Sequence, residues 1–194
     1  MREAEIRRKT NETDVYVKIN IDGKGISSID TGIGFLDHML TLFSKHGLFD
    51  LQVVAKGDLQ VDTHHTVEDV GITLGQALLK ALSDKTSIKR YGVSYVPMDE
   101  ALLRTVVDIS GRPYLYYKLR IDSTSLGNFE TETVEDFFRA FAFNSLITLH
   151  VEMLHGRNTH HIIEGAFKSL GRALDEATKI DDRVDGVPST KGSL

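Results

Sequence analysis

The chain of 194 residues contains no cysteine and no tryptophan, and only three prolines. Without cysteine there are no disulfides, no thiolate metal sites and no cysteine nucleophile, so a reducing compartment is the expected setting. No run approaches the roughly 20 apolar residues that span a bilayer, and the opening MREAEIRRKT has no apolar core of a secretion signal. Positive charge is not in excess: 23 Lys and Arg stand against 28 Asp and Glu, a net −5 with His neutral. No global field therefore attracts nucleic acid or an anionic membrane, and any anion site must be local. The expectation is a soluble cytoplasmic protein with neither nucleic-acid nor membrane partners. With 41% hydrophobic and 26% charged residues, it fits one globular unit or two packed half-domains.

Hydrophobic periodicity divides the chain into strands and helices. Residues 3–22 alternate through Val15, Val17, Ile19 and Ile21 before an Asp22-Gly23 turn, which predicts a strand or hairpin. Gly34 to Gly47 has helical spacing through Leu36, Met39, Leu40 and Phe43. A strand around 51–54 and a helix from His65 to Leu82 follow. Strands are expected at about 93–109 and 114–121, then one helix over Thr133 to His155 and another over His160 to Ile180. This order predicts an α+β sandwich of helices against sheet.

The two halves are alike. A shift of 96 residues aligns His64-His65-Thr66-Val67-Glu68 with His160-His161-Ile162-Ile163-Glu164, and then Leu74-Gly75 with Leu170-Gly171 and Ala77-Leu78 with Ala173-Leu174. Eight identities fall in 18 aligned positions, where ordinary residue frequencies give roughly one. The chain therefore reads as an internal duplication, with halves at about 1–92 and 93–180 packed as one unit and a polar tail at 181–194.

Four of the eight histidines lie in the two HHxxE copies. On a helix His64 and Glu68 share a face, whereas His65 is rotated by about 100° and serves a different site. Solvated or capping histidines would explain one copy; repetition of all three ligand-type residues at unchanged spacing favours metal. A further ligand from each half is sought just upstream. His38 lies 26 residues before His64 and Asp136 lies 24 before His160, with Asp37 and Glu135 as competitors. The resulting set is His38, His64, His65, Glu68, Asp136, His160, His161 and Glu164. Imidazole and carboxylate without sulfur suit Mn²⁺, Fe²⁺ or Zn²⁺, and four protein ligands on an octahedral ion leave two positions open for chemistry. Arg90, Arg112 in the Ser110-Gly111-Arg112-Pro113 turn, Lys168 one turn beyond Glu164, and the tail Pro188-Ser189-Thr190-Lys191 offer a local phosphate grip.

Taken together, Leu36-Asp37-His38-Met39, Asp62-Thr63-His64-His65-Thr66-Val67-Glu68-Asp69, Ser110-Gly111-Arg112-Pro113, Asn158-Thr159-His160-His161-Ile162-Ile163-Glu164 and Pro188-Ser189-Thr190-Lys191 resemble the signature segments of the imidazoleglycerol-phosphate dehydratase family of histidine biosynthesis. The resemblance runs from about Arg8 to Lys191. It implies a duplicated fold similar to the ribosomal protein S5 domain 2-like fold, two Mn²⁺ per active site, and sites formed between subunits of a large symmetric homo-oligomer. The family's metal ligands fall on His38, His64, His65, Glu68, His160, His161 and Glu164. Many members have His where this chain has Asp136, and Asp is a competent ligand for Mn²⁺. By the same resemblance Arg90, Arg112, Lys168, Ser189 and Lys191 contact phosphate, Glu12, His46 and Asp99 line the substrate, and Glu12 or Glu164 moves protons. The implied reaction is loss of water from D-erythro-imidazole-glycerol phosphate to give imidazole-acetol phosphate. Without the phosphatase domain fused in some relatives, the chain is expected to be monofunctional. Two other classes use the same ligands: a metal-dependent phosphoesterase or isomerase, which for the former would release inorganic phosphate, and a noncatalytic metal-linked assembly protein, which would have closed coordination.

Overall fold

The computed structural model describes residues 2–194. The first half comprises β1 (Glu3–Lys9), β2 (Thr13–Asn20), β3 (Ser27–Asp30), α1 (Gly34–Gly47), β4 (Asp50–Gly57) and α2 (His64–Leu82). The second comprises β5 (Tyr91–Met98), β6 (Ala101–Asp108), β7 (Tyr114–Lys118), the short pair β8 (Ser125–Leu126) and β9 (Phe129–Glu130), α3 (Thr133–Asn144), β10 (Thr148–His155) and α4 (Thr159–Thr178). The strand orders are β1-β2-β4-β3 and β5-β6-β10-β7. In each sheet the first three strands in that order are antiparallel and the last pairs in parallel. The α+β class and the likeness of the halves thus emerge as the sequence predicts.

Each sheet buries one face. Val15, Val17 and Ile19 of β2 and Leu51, Val53 and Ala55 of β4 turn inward, as do Ala101, Leu103 and Val107 of β6, while alternate residues face out. The helices lie between the sheets. α2 packs on β1 and β2, α4 on β5 and β6, and the two layers meet through α2 against α3 and α1 against α4. A single apolar cluster runs through both halves. Among the described residues no helix is long and apolar enough to cross a membrane.

The repeated Leu-Gly dipeptides explain the close helix crossings. A Cβ on Gly75 would stand 2.7 Å from the carbonyl oxygen of Phe141 on α3, and one on Gly171 would stand 2.5 Å from that of Phe43 on α1. Only hydrogen at these positions lets the paired helices approach.

Two expectations need correction. The predicted helix over Thr133 to His155 stops at Asn144, and residues 148–155 form β10 between β6 and β7. Leu146 takes a left-handed backbone (φ 55°) that ends the helix, and Leu149 and Val151 then alternate into the core. The single strand predicted over 93–109 is a hairpin, β5 and β6, turning at Asp99, also left-handed at φ 48°.

Candidate metal centre and phosphate cleft

The helix pairing decides which ligand residues meet. His38 sits on α1, whose buried face carries Leu36, Met39, Leu40 and Phe43. His160 and Glu164 sit one turn apart on α4. Packing α1 on α4 brings His38 Nε2 to 3.3 Å and His160 Nε2 to 2.9 Å from Glu164 Oε2. Among the described residues these three form the one group whose potential ligand atoms all lie within 4.8 Å of one another. Glu164 is only 7% exposed at its side chain, whereas His38 and His160 are open to solvent on one side at 48% and 43%. Lys168 Nζ lies 2.5 Å from the second oxygen, Oε1. Burial pushes the Glu164 carboxyl up, but Lys168 and His160 outweigh it and hold the group below its ordinary value.

The related cluster uses the other helix pair. α2 supplies His64 and Glu68, and α3 supplies Asp136. His64 Nδ1 is 3.4 Å from Asp136 Oδ2, while its Nε2 is 3.8 Å from Glu68 Oε2. The three residues are adjacent, yet the acids face different ring nitrogens, so they do not converge on one point. The competitors are engaged elsewhere: Asp37 accepts from the Thr31 N–H (2.9 Å) and hydroxyl (2.6 Å), and Glu135 pairs with Arg139.

His65 and His161 turn away, their rings near right angles to those of His64 (80°) and His160 (82°). His65 Nδ1 lies 3.0 Å from Asp58 Oδ2, and that bond raises the imidazole above its usual value. His161 Nδ1 lies 2.8 Å from Glu100 Oε2. Glu100 also accepts from the backbone N–H groups of Asn158 (2.7 Å) and Arg157 (3.2 Å). The Asn158 bond and His161 hold its carboxyl down at about 2. Glu12, from the β1–β2 turn, is exposed and 3.9 Å from His65 Nδ1; Asp99 is 3.9 Å from His161 Nε2.

Arg90, Arg112, Ser189 and Lys191 line one open cleft of about 630 Å³ together with Tyr91, Pro188 and Thr190. Arg90 anchors the tail. Its Nε donates to Asp108 (2.7 Å) and its Nη1 to the Pro188 carbonyl (2.9 Å), and Asp108 keeps the guanidinium firmly charged. His46, at the end of α1, lines a separate cleft with Lys45, Arg172 and Lys179. Burial, with Lys168 and Arg172 nearby, holds its imidazole below the usual value.

Asp58, Glu100 and Asp108 escaped the sequence reading. Asn158, which caps α4 by accepting from the His161 N–H (3.2 Å), was recognisable from its place three residues ahead of His161.

A family model described as imidazoleglycerol-phosphate dehydratase matches residues 31–174. The imidazoleglycerol-phosphate dehydratase of Caldanaerobacter subterraneus is 72% identical over 194 residues, covering all of both chains. That of Thermoanaerobacter pseudethanolicus is 71% identical over the same length, again covering all of both. The crystal structure of the Staphylococcus aureus imidazoleglycerol-phosphate dehydratase superposes with a TM-score of 0.84 at 44% identity, over 92% of this chain and 99% of that one. The Pyrococcus furiosus structure gives 0.84 at 40% identity, over 97% and 100%.

Proposed function

The chain belongs to the imidazoleglycerol-phosphate dehydratase family, hydro-lyases of histidine biosynthesis, and from that premise we propose that it converts D-erythro-imidazole-glycerol phosphate to imidazole-acetol phosphate and water with two Mn²⁺ per active site. The observation that carries the metal requirement is the convergence of His38, His160 and Glu164 from opposite halves. Two imidazoles and a carboxylate without sulfur fit Mn²⁺. His64, Glu68 and Asp136 supply the related set, and His65 and His161 each serve a further position. Bound there, the divalent ions supply positive charge to the substrate's azole, which has no carbonyl of its own to stabilise lost protons.

The chain's own residues do the rest. Arg112, Lys191 and Ser189 grip the phosphate in the cleft that Arg90 organises, and Lys168, paired with Glu164, adds a further cation for it. The tail at 181–194 thus contacts substrate. The reaction breaks the C3–O bond and the C2–H bond, and the resulting enol tautomerises to the ketone. Glu164 pairs with His160 and Lys168, and Glu12 or Glu164 moves the protons. His46 and Asp99 border the substrate. The orientation of His65 and His161 away from the intrachain triad supports the reading that sites form between subunits of a large symmetric homo-oligomer, and we place this enzyme in the cytoplasm.

The test is stripping with a chelator followed by Mn²⁺ titration, with formation of the ketone product and particle size both recorded. Turnover and the large assembly should vanish together and return with about two ions per site. Full turnover in metal-free buffer would overturn the metal requirement, and an intact assembly there would overturn metal-driven association.

A further inference from the structure

Every ligand-type histidine in the HHxxE copies is matched across the repeat, but the carboxylates behind the second histidines are not. Asp58 follows β4, whereas Glu100 sits in the β5–β6 turn, whose counterpart in the first half is the β1–β2 turn. That counterpart's acid, Glu12, stays 3.9 Å from His65 Nδ1, beyond hydrogen-bond reach. Yet both Asp58 and Glu100 meet the same atom of their histidine: Asp58 oxygens lie 3.0 and 3.3 Å from His65 Nδ1, and Glu100 Oε2 lies 2.8 Å from His161 Nδ1. A contact inherited by duplication would use matched positions. One reached twice from unmatched positions singles out the Nδ1 partner for a role of its own.

We propose that Asp58 and Glu100 are positioning residues that hold His65 and His161 in the Nδ1–H tautomer, with each Nε2 lone pair presented to a divalent cation. An ionised carboxylate only accepts, so the ring proton is committed to Nδ1 and Nε2 is left as the donor atom. Glu100 is itself fixed, since the Arg157 and Asn158 N–H groups hold its Oε1 and leave Oε2 for the ring. The α4 N-terminus, the β5–β6 turn and the His161 ring are thereby set as one piece. At His161 the free Nε2 lies on the side of Asp99. Asp58 does the same with both oxygens on one ring nitrogen and its side chain largely covered.

This inference rests on the metal reading above, and the experiment separates the two. Asp58→Ala, Asp58→Asn, Glu100→Ala and Glu100→Gln are made in the full-length chain, stripped of metal, and titrated with Mn²⁺ while the spectrum of the free aqueous ion is counted. The alanine variants should bind about 10- to 100-fold more weakly. The Asn and Gln variants, which retain a neutral acceptor for Nδ1–H, should recover most of that loss, a rescue that a merely structural charge would not give. Ring ¹⁵N shifts of the metal-free wild type should show the Nδ1–H tautomer at both histidines, a readout independent of metal and of whether the alanine variants fold. Wild-type binding with unchanged affinity in all four variants, or an Nε2–H tautomer at both rings, overturns the positioning role alone. A wild type that binds no Mn²⁺ overturns the metal reading and this role with it.

Discussion

The residues legible in sequence were those that the duplication copied. His64, His65 and Glu68 stood out because His160, His161 and Glu164 repeat them, and His38 could be sought at a related distance. Asp58 and Glu100 are two of 28 acids and lie outside the repeated HHxxE segments, so only the folded chain distinguishes them. What separates Asp136, beside His64, from Asp37 and Glu135, which pair with Thr31 and Arg139, is likewise hydrogen bonding that spacing does not encode. Glu12 stands apart from the ligands as an exposed acid with only a distant contact to His65. Glu12→Gln should therefore lower kcat by about 10²- to 10⁴-fold while Mn²⁺ content stays at the wild-type level; undiminished turnover would remove it from proton transfer. A second residue bears on stability alone. The Thr66 hydroxyl is buried without a partner, the one such side-chain atom among the described residues. Replacing it by the methyl of Val removes an uncompensated polar group, so Thr66→Val should gain about 1 kcal/mol in urea denaturation, and a lower midpoint would contradict this.

At the scale of elements, long periodic helices were visible from sequence and their ends were not. α1 and α3 both end at a leucine in the left-handed region, Leu48 (φ 57°) and Leu146 (φ 55°), after which the chain enters β4 and β10. In the first half Gly47 precedes that stop and marks it. In the second, Ser145 gives no such signal, and the apolar run simply continues as if helical. The strained leucine is tolerated because burial of Ile147, Leu149 and Val151 determines where the chain goes next. Helix crossings were visible only as an unexplained Leu-Gly repeat. Gly171→Ala places a methyl 2.5 Å from the Phe43 carbonyl oxygen and 3.0 Å from the Gly47 nitrogen, both backbone atoms that cannot move aside cheaply. A loss of about 1–3 kcal/mol is expected. Because the same crossing brings His38 to Glu164, Mn²⁺ affinity should fall in step. Gly34→Ala, with nothing within 4 Å of the added carbon, is the control that should change neither.

For the whole molecule, the duplication was readable but the way its halves engage was not. Each candidate ligand cluster takes one helix from each half, α1 with α4 and α2 with α3, so separating the halves would dismantle both clusters at once. The shared apolar core opposes that separation at neutral pH, and the balance of charge decides how it fares in acid. Several carboxylates sit below their ordinary values of 3.8 or 4.5: Asp22 through Arg2, Asp50 through the Lys24 and Ile26 backbone N–H groups, Glu152 through Lys118, Glu176 through Lys89 and Asp181 through Arg183. Lowered in the folded state, each contributes stability that is fully present above its unfolded value and is lost as pH falls through its folded value. Each contribution is small because these acids lie at the surface within reach of solvent, but they act in the same direction. Protonating the acids also leaves 23 Lys and Arg and eight His without opposing charge. Tm of the metal-free protein should therefore hold nearly level from pH 7 to 5 and drop steeply from about pH 4.5 downward, with 0.5 M salt shrinking the drop by screening. A Tm that stays level to pH 3 would mean that these ion pairs and capped acids contribute nothing to the stability of the fold.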